Sequence, residues 1–478
     1  MTAKAKKQKK GTGISKEREQ QNKAALLISQ GLHREALEEI LAGLEPSPFH
    51  MGLNNLLIDV YYREGTLEAF AKDCRQKAKK DARPELFLRS ALASLEYAQD
   101  RKALEDLKKA IQLNPDIPQA YFVMASLQLR RGEIALALEA ASKAVTLAPE
   151  DPDNHWMQAL AHNAAQDLSQ AEAAAARALE LDGQNSEALW VMALVQLMKE
   201  NPAGALALSE KSAQADPSCS MAYWVKGLCL HSQNDLDGAV EALKKSVELD
   251  PKNADAHCLL SSVYLDRDMP GEAYEHAELA VKADSRMADA YYLRGVILGA
   301  RGYFQEAAYQ LSKAITIDPQ NAGYHFSLGE SYMSMRLTAR AETCYQKALE
   351  LDPSLAGAYF GLGAVARLRG KIEEAEKLYA TAIEKEPENG IFVNSMGVLL
   401  MEAGRLKDAG HFMEKALQMS PEDPIFHYNA AEYYLRTGSL EKALAGFQKA
   451  VQLNPFDEEA QRKIDRLQSF VPFISRPL

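Results

Sequence analysis

The chain has 478 residues and a net charge of −11, and none of its apolar runs approaches the ~18–20 residues of a membrane-spanning helix. Its five cysteines form no C-x-x-C pair, which argues against a disulfide framework and points to free, mostly packed thiols in a reducing compartment, the cytoplasm. Length alone predicts several domains, an expectation that an internal repeat overrides.

The start, MTAKAKKQKKGTG, is basic and no apolar stretch follows it, so it does not read as a secretory signal. Lys4, Lys6, Lys7, Lys9 and Lys10 repel one another with nothing apolar beside them, which predicts a disordered arm over Met1–Ser15. Met1 to Lys23 carries +6, leaving −17 for the rest. Such an arm suits an anionic surface, nucleic acid or membrane, but alone it binds weakly, and a solubilising tail is the simpler reading.

Residues 16–83 read as two degenerate helix hairpins that cap the N-terminus. Leu27, Gly31, Ala36, Ile40 and Pro48 outline the first, and Leu53, Leu57, Tyr61 and Ala69 the second. The second ends in a basic run whose Lys72, Arg75, Lys79 and Arg83 share one side of a helix, expected to be a solvated face.

From residue 84 to 457 a 34-residue period holds without insertion through eleven units. Ala322–Leu355 shows the pattern: Leu328, Gly329 and Tyr332 on one amphipathic helix, then Ala341, Tyr345 and Ala348 on a second, then Asp352-Pro353 as a stop. Pro115, Pro149, Pro217, Pro251, Pro319, Pro387, Pro421 and Pro455 keep the register of Pro353. The residue matching Ala341 is alanine in every unit, and the one matching Gly329 is always small, as close helix crossing requires. Pro84, Pro118, Pro152 and Pro424 open first helices; Gly132, Gly302, Gly370, Gly404 and Gly438 close them. Residues 458–470 read as a capping helix and 471–478 as a tail, docked on the last unit or free for a partner.

This pattern resembles the tetratricopeptide repeat (TPR) family. The resemblance implies an all-α solenoid of antiparallel hairpins forming a superhelix, whose first helices line a concave face. It is specific for fold and nearly silent on function. Two specialised uses within the family leave little trace. No first helix pairs a lysine with an asparagine four residues on, as in chaperone-tail clamps. Of the asparagine ladder of the O-linked N-acetylglucosamine transferase arm, only Asn429 is present.

Nothing points to catalysis, a cofactor or a metal. Gly361-Leu-Gly363-Ala-Val-Ala366 matches a dinucleotide fingerprint on letters, but no strand precedes it. His155, His257, His325 and His427 recur at one place in four units and read as core or half-buried histidines.

One departure from a plain repeat suggests a site. The fifth residue of successive units includes Phe122, Trp156, Trp190, Trp224, Tyr292, Phe326, Phe360 and Tyr428, with Leu194 and Leu228 at the ninth. This stripe is either core between repeats or an apolar lining of the concave face. Ala188, Ala222, Ala256, Val195, Cys229 and Val263 already supply a seam between first helices, which favours the lining. Glu85, Asp153, Glu187, Asp255 and Asp289, at the second place, add charge suited to a basic partner. The expected function is a non-enzymatic scaffold holding a peptide or helix of another protein. Self-assembly into a homo-oligomer, or service as a regulatory subunit of a separately encoded enzyme or assembly machine, stay open as alternatives.

Overall fold

The computed structural model describes residues 16–474; Met1–Ser15, for which an arm was expected, and the last four residues of the tail lie outside the described residues. Among the described residues the regular structure is all helix, running from Lys16–Ser29 to Glu458–Ile474. The helices pair in sequence order and gather into two compact units, one up to Pro251 and one from Lys252.

The pair Ala322–Ser334 and Thr338–Leu351 shows why these residues fold so. The first helix closes through Arg336, left-handed at φ 59°, while the Leu337 amide donates to Tyr332 O at 2.9 Å and the Arg336 amide to Met333 O at 2.9 Å. These two bonds satisfy carbonyls the helix end would otherwise strand. Gly132, Gly302, Gly370, Gly404 and Gly438 occupy the same place with φ between 72° and 83°. After the second helix, Asp352 turns extended (φ −134°, ψ 95°), as a residue before proline prefers. Its carboxylate accepts from the Ser354 amide at 2.8 Å and hydroxyl at 2.6 Å, bonds that lower its pKa. Asp182, Asp216, Asp284 and Asp318 make the equivalent turn.

Every alanine matching Ala341 is fully buried. The small residue eight places into each unit has a more specific cause than backbone crossing, because it faces the twenty-fourth residue. A methyl on Gly329 would stand 2.6 Å from the Tyr345 ring, on Gly363 2.5 Å from Tyr379, on Gly295 2.6 Å from Leu311, and on Gly227 2.5 Å from Leu243. Where the twenty-fourth residue is small, as at Ala141, Ala175 and Ser209, the eighth grows to Ala125, Ala159 and Ala193. Leu107 opposite Ala91 and Phe447 opposite Ala431 break the rule, and at the second Gly446 makes the room: its missing Cβ would lie 2.9 Å from that of Ala431.

In the N-terminal unit, helix Pro84–Glu96 is buried at every residue from Glu85 to Ser94. A polar seam explains how charge survives there. Arg75 donates to Asp106 Oδ2 at 2.6 Å and to Ser94 Oγ at 2.6 Å, Ser90 donates to the same Asp106 oxygen at 2.7 Å, and Arg89 donates to Asn54 Oδ1 at 2.9 Å. The expectation of a solvated basic face is corrected: Lys72, Lys79 and Arg83 are exposed, but Arg75 turns inward because buried Asp106 needs a cation. Further along, Ser186 and Ser212 share hydroxyl bonds at 2.9 Å, and Ser220 and Ser246 repeat the pair at 3.0 Å in the next unit. In the C-terminal unit, Tyr345, Tyr379 and Phe447 fill the hairpin centres. The final helix runs to Ile474, through Pro472, past the end at 470 that the sequence suggested.

Candidate functional site

The aromatic stripe is a row in space. In the N-terminal unit, Phe122 meets Trp156 edge-on at 5.3 Å between centroids, and Trp156 meets Trp190 at 6.3 Å. The row is less open than the sequence suggested. Trp190 is 5% exposed, a correction to the expected solvent-facing ring. The cause is volume. Second helices Leu168–Leu181 and Pro202–Ala215 are rich in alanine, and Trp190 fills the space beside Ala174 and Ala175. Phe122, Trp156, Trp224 and Leu194 are half-buried against these clusters, and Leu228 is half-buried too. Exposure falls short of a flat apolar patch: Trp190 is buried and the other rings are partly covered.

In the C-terminal unit, Tyr292, Phe326, Phe360 and Tyr428 are also half-buried. Tyr292 lies 5.1 Å from Tyr324, Phe326 6.0 Å from Tyr345, and Phe360 stacks 4.8 Å from Phe392. Phe326 rests on Gly357, where a methyl would stand 2.9 Å from its ring. The Tyr428 hydroxyl donates to Glu459 at 2.9 Å.

Carboxylates edge this row. Asp153 Oδ1 accepts from Trp156 Nε1 at 3.1 Å and from Asn185 Nδ2 at 3.3 Å. Burial raises the Glu187 pKa, and Asp153, Asp216 and Asp182 add to the rise. Burial and Asp153 do the same to Asp151. None of Asp151, Asp153, Asp182, Glu187 or Asp216 forms an ion pair among the described residues. In the C-terminal unit Asp255 is raised by burial, then by Asp284 and Asp289, and Asp289 accepts the Tyr324 hydroxyl. Glu85 departs from the series, being buried beside Arg83 at 2.6 Å.

The histidines are structural. His155, His325 and His427 each place Nε2 2.8–3.1 Å from the carbonyl of the preceding unit's proline, at Pro149, Pro319 and Pro421. His257 instead meets His276 at 3.0 Å. Asn429 spends its amide on Asn394, at 3.2 Å. Gly361 and Gly363 make room for Tyr345 and Tyr379, which accounts for the fingerprint-like letters. Burial pushes the Cys74, Cys229 and Cys344 thiols to about 11 and Cys258 to about 12. No grouping of His, Cys, Asp and Glu fit for a metal occurs among the described residues, and no described helix is long and apolar enough to cross a membrane.

The sequence reading missed a cavity of about 560 Å³ in the C-terminal unit, between the loops before Gly390–Glu402 and Pro424–Arg436. Its signal was legible: the second place, acidic in five of the nine earlier units, becomes Ile391 and Ile425.

Tetratricopeptide repeat family models match residues 89–152, 326–390, 369–424 and 400–467, and a TPR repeat model matches 227–266 and 297–335. The chain belongs to the tetratricopeptide repeat family. Among solved structures it is similar to the Cut9-Hcn1 hetero-tetramer of the APC/C, at 14% identity and TM-score 0.59, over 95% of this chain and 96% of that one. MamA aligns at 31% identity over 34% of this chain and 92–94% of its own, TM-score 0.31–0.32 for two structures, the second at 30%. A tetratricopeptide repeat protein from Parabacteroides merdae aligns at 19% over 52% of this chain and 98% of its own, TM-score 0.44. No curated protein matches by sequence. The first likeness shows the shared repeat fold; a TPR array of this kind is a protein-interaction scaffold.

Proposed function

We propose that this TPR array holds a segment of a partner protein against the aromatic row of its first helices, and that the segment is basic. Unpaired carboxylates beside half-open rings carry the reading. Asp153 bonds Trp156 and lies near enough to Glu187 to add to its raised pKa, neither has a counter-cation among the described residues, and burial strains Glu187 toward its neutral form. An arrangement that costs a folded protein stability is explained when a partner supplies the missing cations. Half-buried rings such as Trp156 and Trp224 suit the aliphatic stems of lysine and arginine lying across them.

Capture from native lysate with the wild type and with Asp153→Lys/Glu187→Lys tests this. The main captured protein should be lost from the variant while its helical signal stays intact, and in the wild type it should shield the tryptophans from acrylamide. Equal capture by both proteins, with unchanged quenching, overturns the reading.

A further inference from the structure

The second and thirty-third places of a unit sit where one loop meets the next. Through most of the array they are acidic, polar or glycine. At the end of the C-terminal unit they turn apolar without becoming core. Ile391 is 57% exposed, Ile425 62% and Phe456 90%. Phe456 is the one apolar residue at the thirty-third place, where the other units carry residues such as Glu388 and Glu422. Ile391 and Ile425, each in the first turn of its helix, and Phe456, in the turn before the last helix, recur as large exposed apolar side chains in successive units, unlike the scattered exposed leucines elsewhere.

The cavity lies on this rim. Pro387, Ile391 and Phe426 give it apolar walls, and Glu386, Glu388 and Asp423 edge it, with no lysine or arginine among the lining residues. Gly390 keeps it open below, since a methyl there would stand 2.9 Å from the Phe426 ring. Asp423 is occupied as a helix cap, accepting from the Ile425 amide at 2.8 Å, and Glu386 accepts from Asn389 at 3.0 Å; Glu388 is unpaired. Beyond it, Asp457, Glu458 and Glu459 follow Phe456 directly.

We propose that this rim docks a partner segment in which a bulky apolar side chain, seated between Ile391 and Phe426, is flanked by lysine or arginine. Charge selects that occupant. A second copy of this chain would bring the same carboxylates against themselves. The Lys-rich Met1–Ser15 segment supplies charge, but its bulky apolar residues are only Met1 and Ile14, at opposite ends. The proposal rests on the reading of the chain as a partner-binding scaffold, but not on the aromatic row.

The test uses the full chain and three labelled hexapeptides, read by fluorescence anisotropy. One has a central Phe-Leu pair between paired lysines, one replaces that pair with Ala-Ala, and one replaces the lysines with glutamates. The first should bind about tenfold or more tightly than either control. Ile391→Asp/Phe456→Ser, both exposed sites, should reduce it to control level with unchanged circular dichroism, while Asp153→Asn/Glu187→Gln should leave it unaltered. Equal binding of all three peptides, or binding indifferent to Ile391→Asp/Phe456→Ser, overturns the proposal. Loss only in Asp153→Asn/Glu187→Gln overturns it too, and would leave the aromatic-row reading standing.

Discussion

Asp106 accepts two strong bonds, from Arg75 and Ser90, while 2% exposed, so its removal strands a guanidinium and a hydroxyl together. Asp106→Ala should cost about 2–4 kcal/mol in urea unfolding, more than surface charge changes do. The opposite sign is expected at Arg336, exposed and left-handed at φ 59°: Arg336→Gly should gain about 0.5–1 kcal/mol by relieving backbone strain. Glu187 makes a pH-dependent case. Its folded-state pKa is raised, so the ionised carboxylate costs stability above that pKa and the cost fades as pH falls through it. Glu187→Gln should therefore stabilise at neutral pH, and the gain should vanish in acid; a gain constant with pH would mean charge is not the cause. Little of this was legible in sequence. Arg75 looked like one of four solvated cations because its acceptor, Asp106, lies 31 residues away on another helix.

At the scale of the element, the period of 34 made the hairpins readable, since alanine, glycine and proline each recur for a local steric reason. The exchange of volume between the eighth and twenty-fourth residues was not read, because it links two rows that each look merely apolar or small. Ala307→Leu should destabilise by about 1–3 kcal/mol through overpacking, since Ala307 is fully buried. Gly329→Ala should cost a similar about 1–3 kcal/mol, and its cost should shrink when Tyr345 is first changed to Ala, a coupling that a double-mutant cycle measures. Only the exposure of Trp190 within the stripe was misjudged, for a related reason. Tryptophan three times in one row suggested a surface, yet alanine-rich second helices leave space that Trp190 fills.

Over the whole molecule, unfolding should not be two-state, because repeats that share no contacts need not melt together. Trp156, Trp190 and Trp224 all lie in the unit ending at Pro251. Tryptophan fluorescence should thus follow that unit alone while circular dichroism follows every helix, and the two urea curves should not superimpose. Coincident curves would mean the array unfolds as one cooperative body.

The pairing of eighth with twenty-fourth residues sorts the hairpins into types that matter for recombination. A first helix carrying Gly295, Gly329 or Gly363 has a socket for the bulky residue of any second helix in that group, whether Leu311, Tyr345 or Tyr379. A first helix carrying Ala125, Ala159 or Ala193 has none. Genetic exchange or design that breaks the chain between units transplants matched halves and should be silent in the core, except where a ring reaches across the boundary as Tyr345 reaches Gly361. A break at the turn inside a unit is safe within one type; between types it sets an alanine methyl against a tyrosine ring, or leaves a glycine facing an empty space. The seams along which such a gene can be cut and rejoined are therefore unequal, and the inequality is written in two residues per repeat.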